Sequence, residues 1–263
     1  MTTYLWNSKD IIEKRLKVSF HVLMLLDYDG TLTEFAKKPN HAILPAKTKK
    51  ILNKLKLIKQ LTLGIVSGRG VYDIKKLIGI EDIVYSGNHG LEWEIENVVY
   101  VMPGISETRE LYLKILNNFG PLEKKYKGIF IEDKNLTISI HYRMLHKDLR
   151  PAFHEEFENF IVPYLQSPLI KLLKNKMVFD IMPNVKWGKG GFINWLISTQ
   201  KSSPLTIYIG DDRTDEDAFS ELKDAITIKV GSGETEANYF LNDINDAIKF
   251  LEWACDNLQE ETD

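Results

Sequence analysis

Residues 22–26, Val-Leu-Met-Leu-Leu, form an unbroken apolar run that stops abruptly at Asp27-Tyr28-Asp29-Gly30. So short a run, closed by a glycine turn, reads as a strand buried on both faces. Two carboxylates then stand at the carboxyl end of a buried strand, where open α/β sheets hold their ligands. Acids in that position imply a metal, a nucleophile or both. In extended backbone, residues i and i+2 face the same side. Asp27 and Asp29 can therefore address one site, one attacking and the other moving a proton.

The rest of the chain repeats this rhythm. Residues 1–20 read as a lead-in helix. A helix over 44–58 carries Ile51, Leu55 and Ile58 at helical spacing. A second apolar strand, 61–66, ends in Ser67-Gly68-Arg69, and a helix follows over 71–78. A third strand, 83–85, ends in Ser86-Gly87-Asn88-His89-Gly90. The β-α-β-α-β order predicts a parallel, doubly wound sheet, extended outward from the first strand by right-handed crossovers.

After residues 102–104 the rhythm changes. A helix over 106–126 precedes strands 128–133 and 136–142, separated by a Lys134-Asn135 turn. A helix over 147–165 precedes strands 170–173 and 177–182. This α-β-β-α-β-β run predicts an inserted α+β domain with an antiparallel sheet, hinged at 102–105 and 183–187 and closing on substrate. The α/β rhythm resumes with a helix over 189–199, strands 205–209 and 226–230 around a helix over 214–223, and a last helix striped by Ala247, Leu251, Ala254 and Leu258. The expected fold is α/β, a doubly wound parallel-sheet (Rossmann-like) core of residues 1–103 and 184–263, with an inserted α+β cap at 104–183.

Composition excludes several functions. Lysine and arginine number 34 against 37 acids, a formal charge of −3, so no strong field draws the chain to nucleic acid or anionic membranes. No apolar stretch reads as a signal peptide or membrane span, and the expected location is cytoplasmic. The single cysteine, Cys255, can form neither an internal disulfide nor a cysteine metal cluster. Its place in an apolar helical stripe reads as core filling.

Three further constellations fall at strand ends or helix starts. In Ser67-Gly68-Arg69 a hydroxyl and backbone N–H groups can hold a phosphate oxygen; a helix N-cap serine is the plainer reading. Trp187-Gly188-Lys189-Gly190-Gly191 opens a helix. The dipole disfavours a lysine in a first turn, so Lys189 is either a surface residue or the partner of an anion. Gly210 is followed by Asp211, Asp212, Asp215, Glu216 and Asp217, five acids in seven residues. Glu216 and Asp217 fit a solvated first helical turn. Adjacent acids at the strand tip do not, and so many hard oxygen ligands favour Mg²⁺ over zinc.

In this order and at these positions, DYDGT, SGR, WGKGG and GDDRTDED resemble the haloacid dehalogenase superfamily of aspartyl phosphotransferases, with the insertion where that superfamily carries its larger cap. LLDYDGTLTEF, IVSGR, SGNHGLEWE, SIHYR, MPNVKWGKG, YIGDDRTDEDAF and GETEANYFLND further resemble the trehalose-6-phosphate phosphatases over about residues 22–240. The resemblance implies a Mg²⁺-dependent phosphatase with Asp27 as nucleophile. Asp29 would be the acid and then the base, with a raised pKa in the substrate complex. It implies Mg²⁺ on the Asp27 carboxylate, the Asp29 carbonyl and Asp211, supported by Asp215. Ser67 and Lys189 would hold the phosphoryl group. Arg69, Asn88 and His89 would reach the substrate from the core, and Glu132, Lys134, Arg143, Lys176 and Asp180 would contact the sugar from the cap. Asp180 stands where a Glu is usual, and Met182 where an Arg usually precedes the proline. The competing readings are a phosphatase of another sugar phosphate, such as sucrose phosphate or a mannosyl phosphoglycerate, and a non-catalytic sugar-phosphate-binding regulator. Retention of Asp27, Asp29, Lys189 and Asp211 weighs against the regulator. The expected partners are a small-molecule sugar phosphate and, functionally, a trehalose-6-phosphate synthase.

Overall fold

The structure is a computed structural model that describes residues 2–36 and 41–259. It separates into two units, one formed by the chain up to Val101 and from Trp187 onward, the other by Met102–Lys186.

The short lead-in helix expected over residues 1–20 is present but occupies only part of that stretch. Strand β1 (Thr3–Tyr4) and a 3-10 turn at Leu5–Ser8 precede helix α1 (Lys9–Lys17). Then follow β2 (Val22–Leu26), α2 (Ala46–Leu55), β3 (Leu61–Val66), α3 (Val71–Ile78), β4 (Val84–Gly87), β5 (Glu92–Ile95) and β6 (Val98–Val101). The second unit holds α4 (Thr108–Lys125), β7 (Phe130–Asp133), β8 (Ile138–His141), α5 (Arg150–Leu165), β9 (Ile170–Asn175) and β10 (Val178–Pro183). The first unit resumes with α6 (Lys189–Ser198), β11 (Leu205–Gly210), α7 (Arg213–Glu221), β12 (Ile226–Val230), β13 (Tyr239–Leu241) and α8 (Ile244–Gln259).

The nine-stranded sheet of the first unit runs β1-β13-β12-β11-β2-β3-β4-β5-β6. All neighbours from β1 to β4 pair parallel. Strand β2 lies inside it and all five of its residues are buried. Its side chains alternate between faces. Val22, Met24 and Leu26 join one apolar cluster with residues of α1, α2, α3 and α8, Cys255 among them. Leu23 and Leu25 are equally buried but outside that cluster, on the opposite side of the pleat. Helices α6 and α7 pack against each other and also contribute nothing to it. The sheet is therefore covered on both faces, which is why β2 at its centre is continuously apolar.

Strands β5, β6 and β13 escape the sequence pattern. Strands β5 and β6 pair antiparallel around Glu96 and Asn97, whose φ values are +52° and +62°. A two-residue turn with both φ positive suits a tight hairpin, but glycine normally marks it. Strand β13 has three residues, too few for a periodic signal.

In the second unit a four-stranded antiparallel sheet runs β7-β8-β10-β9. Ile138, Ile140, Phe179 and Ile181 turn one face into a core shared with Tyr112, Ile115 and Phe119 of α4 and Phe153, Phe157 and Ile161 of α5. The Phe157 and Phe179 rings stack with centroids 4.5 Å apart. The alternate residues, Glu132, Ser139, His141 and Asp180, belong to the other face of the sheet.

Candidate active site

Parallel register aligns the strand tips. Leu26 pairs with Ile209 on one side and Ile65 on the other, and Val66 pairs with Ser86. The residues that follow these strands, Asp27, Ser67 and Asp211, thus emerge along one edge. The Asp27 N–H donates to the Ile209 carbonyl at 2.8 Å, continuing the ladder one residue past β2. Gly30 then turns the chain with φ +88°, and a Cβ there would lie 2.2 Å from Oδ2 of Asp211. Only glycine lets this backbone pass so close to that carboxylate.

Lys189, the first residue of α6, is 3% exposed, so it is no surface lysine. Its Nζ donates to Oδ1 of Asp27 at 2.7 Å and to Oδ1 of Asp215 at 2.8 Å. The Tyr208 hydroxyl also donates to Oδ1 of Asp215. Oδ2 of Asp215 accepts from the backbone N–H groups of Asp211 and Asp212 at 3.0 Å each. Asp212 caps α7 in a reciprocal capping box with Asp215, which fixes the turn carrying all three acids.

One carboxylate oxygen from each of Asp27, Asp211 and Asp215 can be chosen so that the three lie within 4.8 Å of one another. Burial pushes the Asp27 carboxyl well above its ordinary range; Lys189 pulls it back, and Asp215, Asp211 and Asp212 add to the rise. Asp211 is pushed up to about 8, by burial and then by Asp215 and Asp212. Burial also raises Asp215, against the pull of Lys189. Burial opposes the Lys189 ammonium too, but Asp215 and Asp27 outweigh it and hold its pKa well above the ordinary value. Asp212 goes the other way: despite burial, Lys189 and the hydrogen bond from Thr214 hold its carboxyl below the usual range. One ammonium does not balance this much buried negative charge. Oδ1 of Asp211 is moreover buried without a hydrogen-bond partner, an expensive state for a carboxylate oxygen. The set fits a divalent cation on hard oxygen ligands.

Asp29 is gripped by Arg69, whose Nε and Nη2 donate to its two oxygens at 2.6 Å each. The guanidinium also sits 5.6 Å from the Tyr28 ring centroid, a bidentate and stacked arrangement that lysine does not reproduce. Ser67 is buried, and its Oγ accepts from the Arg69 N–H at 3.1 Å. It is not the N-cap of α3; that position is Gly70, without a side-chain cap. Oε1 of Glu92 on β5 instead accepts the first α3 N–H, from Val71, at 2.8 Å and the Asn88 amide at 2.7 Å. Asn88 and His89 are buried with φ of +49° and +58°. Asp27, Asp29, Ser67, Arg69, Asn88, His89, Lys189, Asp211 and Asp215 all belong to the first unit.

The remaining five candidates belong to the second unit. Arg143 Nη2 donates to the Lys176 carbonyl at 3.3 Å, and the Lys134 N–H closes the β7–β8 turn on Thr137 at 3.0 Å. Ser139 pairs with both Glu132 and Asp180, so the two acids share a row across the sheet. Asp180 is buried; Oδ1 accepts from the Ser139 hydroxyl and Oδ2 from the Asn175 amide at 2.9 Å.

Several residues of the first unit escape the sequence pattern. Tyr208 and Glu92 are two. Lys229, at the end of β12, is a third: its Nζ donates to the Asp211 carbonyl at 2.6 Å and to Oε1 of Glu216 at 2.9 Å. Glu216 is therefore not a solvated helical acid, since its Oε2 also accepts from Thr235 Oγ1 and the Glu236 N–H. Asp217 is exposed, as a solvated face requires. A lysine and a tyrosine inside largely apolar buried strands are the available signal for Lys229 and Tyr208.

The family model described as trehalose-phosphatase matches residues 25–245. Trehalose-phosphate phosphatase B of Arabidopsis thaliana is 28% identical over 249 residues, covering 88% of this chain; the chain spans 65% of that relative's length. The solved C-terminal domain of C. albicans trehalose-6-phosphate phosphatase superposes with a TM-score of 0.86 at 23% identity, over 97% of this chain and 98% of that one. A solved trehalose-6-phosphate phosphatase related protein superposes with a TM-score of 0.78 at 25% identity, over 91% and 100%.

Proposed function

The chain belongs to the trehalose-phosphatase family, and from that premise we propose that it hydrolyses trehalose 6-phosphate to trehalose and phosphate. The observation that carries the reading is the buried set at the strand tips: Asp27 bound to Lys189 at 2.7 Å, within an acid trio spanning 4.8 Å. Asp27, Asp211 and Asp215, with the Asp29 backbone carbonyl, would hold Mg²⁺. Bound there, Mg²⁺ supplies the positive charge that an anionic nucleophile needs beside an anionic phosphate. At about 4 Å such a like-charge pair costs on the order of 4 kcal/mol at an effective dielectric near 20, roughly a thousandfold in rate.

An Asp27 carboxylate oxygen attacks phosphorus, the bond from phosphorus to the sugar oxygen breaks, and Asp29 protonates that oxygen as trehalose leaves. Asp29 then takes a proton from water, the water oxygen attacks the aspartyl-phosphate, and Asp27 is regenerated with release of phosphate. Lys189 neutralises charge on Asp27 and the phosphoryl oxygens, assisted by the Ser67 hydroxyl. Arg69 holds Asp29 in place until substrate arrives. Asn88, His89 and the second-unit residues Glu132, Lys134, Arg143, Lys176 and Asp180 select the sugar. The shorter Asp180, already bonded to Ser139 and Asn175, gives a weaker sugar contact than a glutamate. The unit 102–186 acts as a cap that closes on substrate and excludes water. A trehalose-6-phosphate synthase is the functional partner that supplies the substrate. Among the described residues no helix is long and apolar enough to cross a membrane.

Phosphate release from trehalose 6-phosphate, with Mg²⁺ and with chelator, tests the reading. Turnover should require Mg²⁺ and fall at least a thousandfold in Asp27→Asn. A folded wild-type protein that spares trehalose 6-phosphate but cleaves sucrose phosphate or a mannosyl phosphoglycerate would move it to another substrate.

A further inference from the structure

We infer that His141 is the positioning residue that presents Glu132 to the sugar, an inference that rests on the cap reading above. Phe130 and His141 are directly paired across β7 and β8, and Glu132 is paired with Ser139. Phe130, Glu132, Ser139 and His141 therefore share one face of the sheet. Glu132 and His141 are diagonal neighbours on that face, within reach of long side chains. Nε2 of His141 lies 2.7 Å from Oε2 of Glu132. Because a carboxylate only accepts, Nε2 carries the proton and donates it. The imidazole is itself held: it stacks on the Phe130 ring with centroids 4.5 Å apart and planes 15° from parallel. Both partners are partly solvated, with side-chain exposures of 20% for His141 and 28% for Glu132, so the pair stands where a polar ligand can reach it.

Strand β7 is the edge of its sheet, and a glutamate side chain there has three rotatable bonds to fix. Immobilising such a side chain on binding costs affinity. A histidine clamped by an aromatic ring removes that freedom beforehand, and its charge-assisted bond fixes which carboxylate oxygen faces outward. The effect belongs to sugar binding. The reacting groups of the first unit are untouched by it, so KM moves and kcat does not.

Glutamine places its amide nitrogen near the position of Nε2, whereas asparagine is too short to reach it. With trehalose 6-phosphate and Mg²⁺, His141→Asn should raise KM about ten- to hundredfold and leave kcat within about threefold, and His141→Gln should recover most of the loss. Glu132→Ala should raise KM similarly, and Glu132→Ala/His141→Asn should be no worse than Glu132→Ala alone, the signature of two residues acting as one. Hydrolysis of p-nitrophenyl phosphate, which has no sugar, should be unchanged in the two His141 variants. Additive losses, a fall in kcat with KM unchanged, or equal losses in the Asn and Gln variants would overturn the positioning role. If Glu132→Ala leaves KM unchanged, the cap reading itself falls, and the role of His141 falls with it.

Discussion

Asp211→Asn is expected to stabilise the metal-free protein while abolishing its response to Mg²⁺. Burial, Asp215 and Asp212 raise the Asp211 carboxyl from 3.8 to about 8. Between those values the folded state holds a proton that the unfolded chain has released, so stability falls as pH rises, by about 1.4 kcal/mol per pH unit. The loss begins above the unfolded pKa and is complete above the folded one. At pH 7 the wild type then carries a penalty of about 4 kcal/mol, and at pH 5 one of about 2 kcal/mol. An amide has no charge to desolvate and escapes both. With part of this absorbed by relaxation and solvent at the rim, melting in chelator at pH 7 should rise by roughly 4–12 °C in the variant, and the gain should shrink towards pH 5. Adding Mg²⁺ should raise the wild-type melting temperature by mass action, more at pH 8 than at pH 5 because the ligands must be deprotonated. The variant should barely respond. A variant less stable than wild type in chelator at pH 7, or a gain that does not shrink at lower pH, would refute the account of a cluster strained by its own charge.

Lys189→Met strips Asp27 and Asp215 of their buried counter-charge, which should lower stability by about 3–5 kcal/mol near pH 8, less in acid, and eliminate turnover; urea titrations giving wild-type midpoints would contradict it. Gly30→Ala forces a Cβ against Asp211 at φ +88° and should lower kcat at least a hundredfold with a lower melting temperature; wild-type turnover would show that the turn can relax. In the second unit, Phe157→Ala removes a fully buried ring stacked on Phe179 and should cost about 3–5 kcal/mol in denaturant unfolding. A loss below about 1 kcal/mol would mean that its core collapses without strain.

Much of the first unit is legible in residue order because its inner strands are mostly buried and largely apolar. The strand at 22–26 is read to the residue, and so are 61–66 and 226–230. Where burial is partial or the element short, the pattern fails. The exposed β6 has no apolar alternation to betray it, and the Glu96–Asn97 turn adopts left-handed backbone without glycine. Lys189 could be read as a surface residue, and its burial between two carboxylates is a tertiary fact. Glu216 looked solvated because its partners Lys229 and Thr235 lie 13 and 19 residues further along the chain.

The order of apolar runs, glycine turns and acids was enough to establish an α/β sheet with an insertion and acids at the strand tips, since burial and period are local properties of a sequence. Which acids converge, and with what charge, is a matter of distance. Register across β2, β3 and β11 brings Asp27 beside Asp211, and the start of α6 carries Lys189 between Asp27 and Asp215. Electrostatic interaction falls with separation in space and is indifferent to separation along the chain, so the perturbed carboxyls of this site exist only once the strands are assembled.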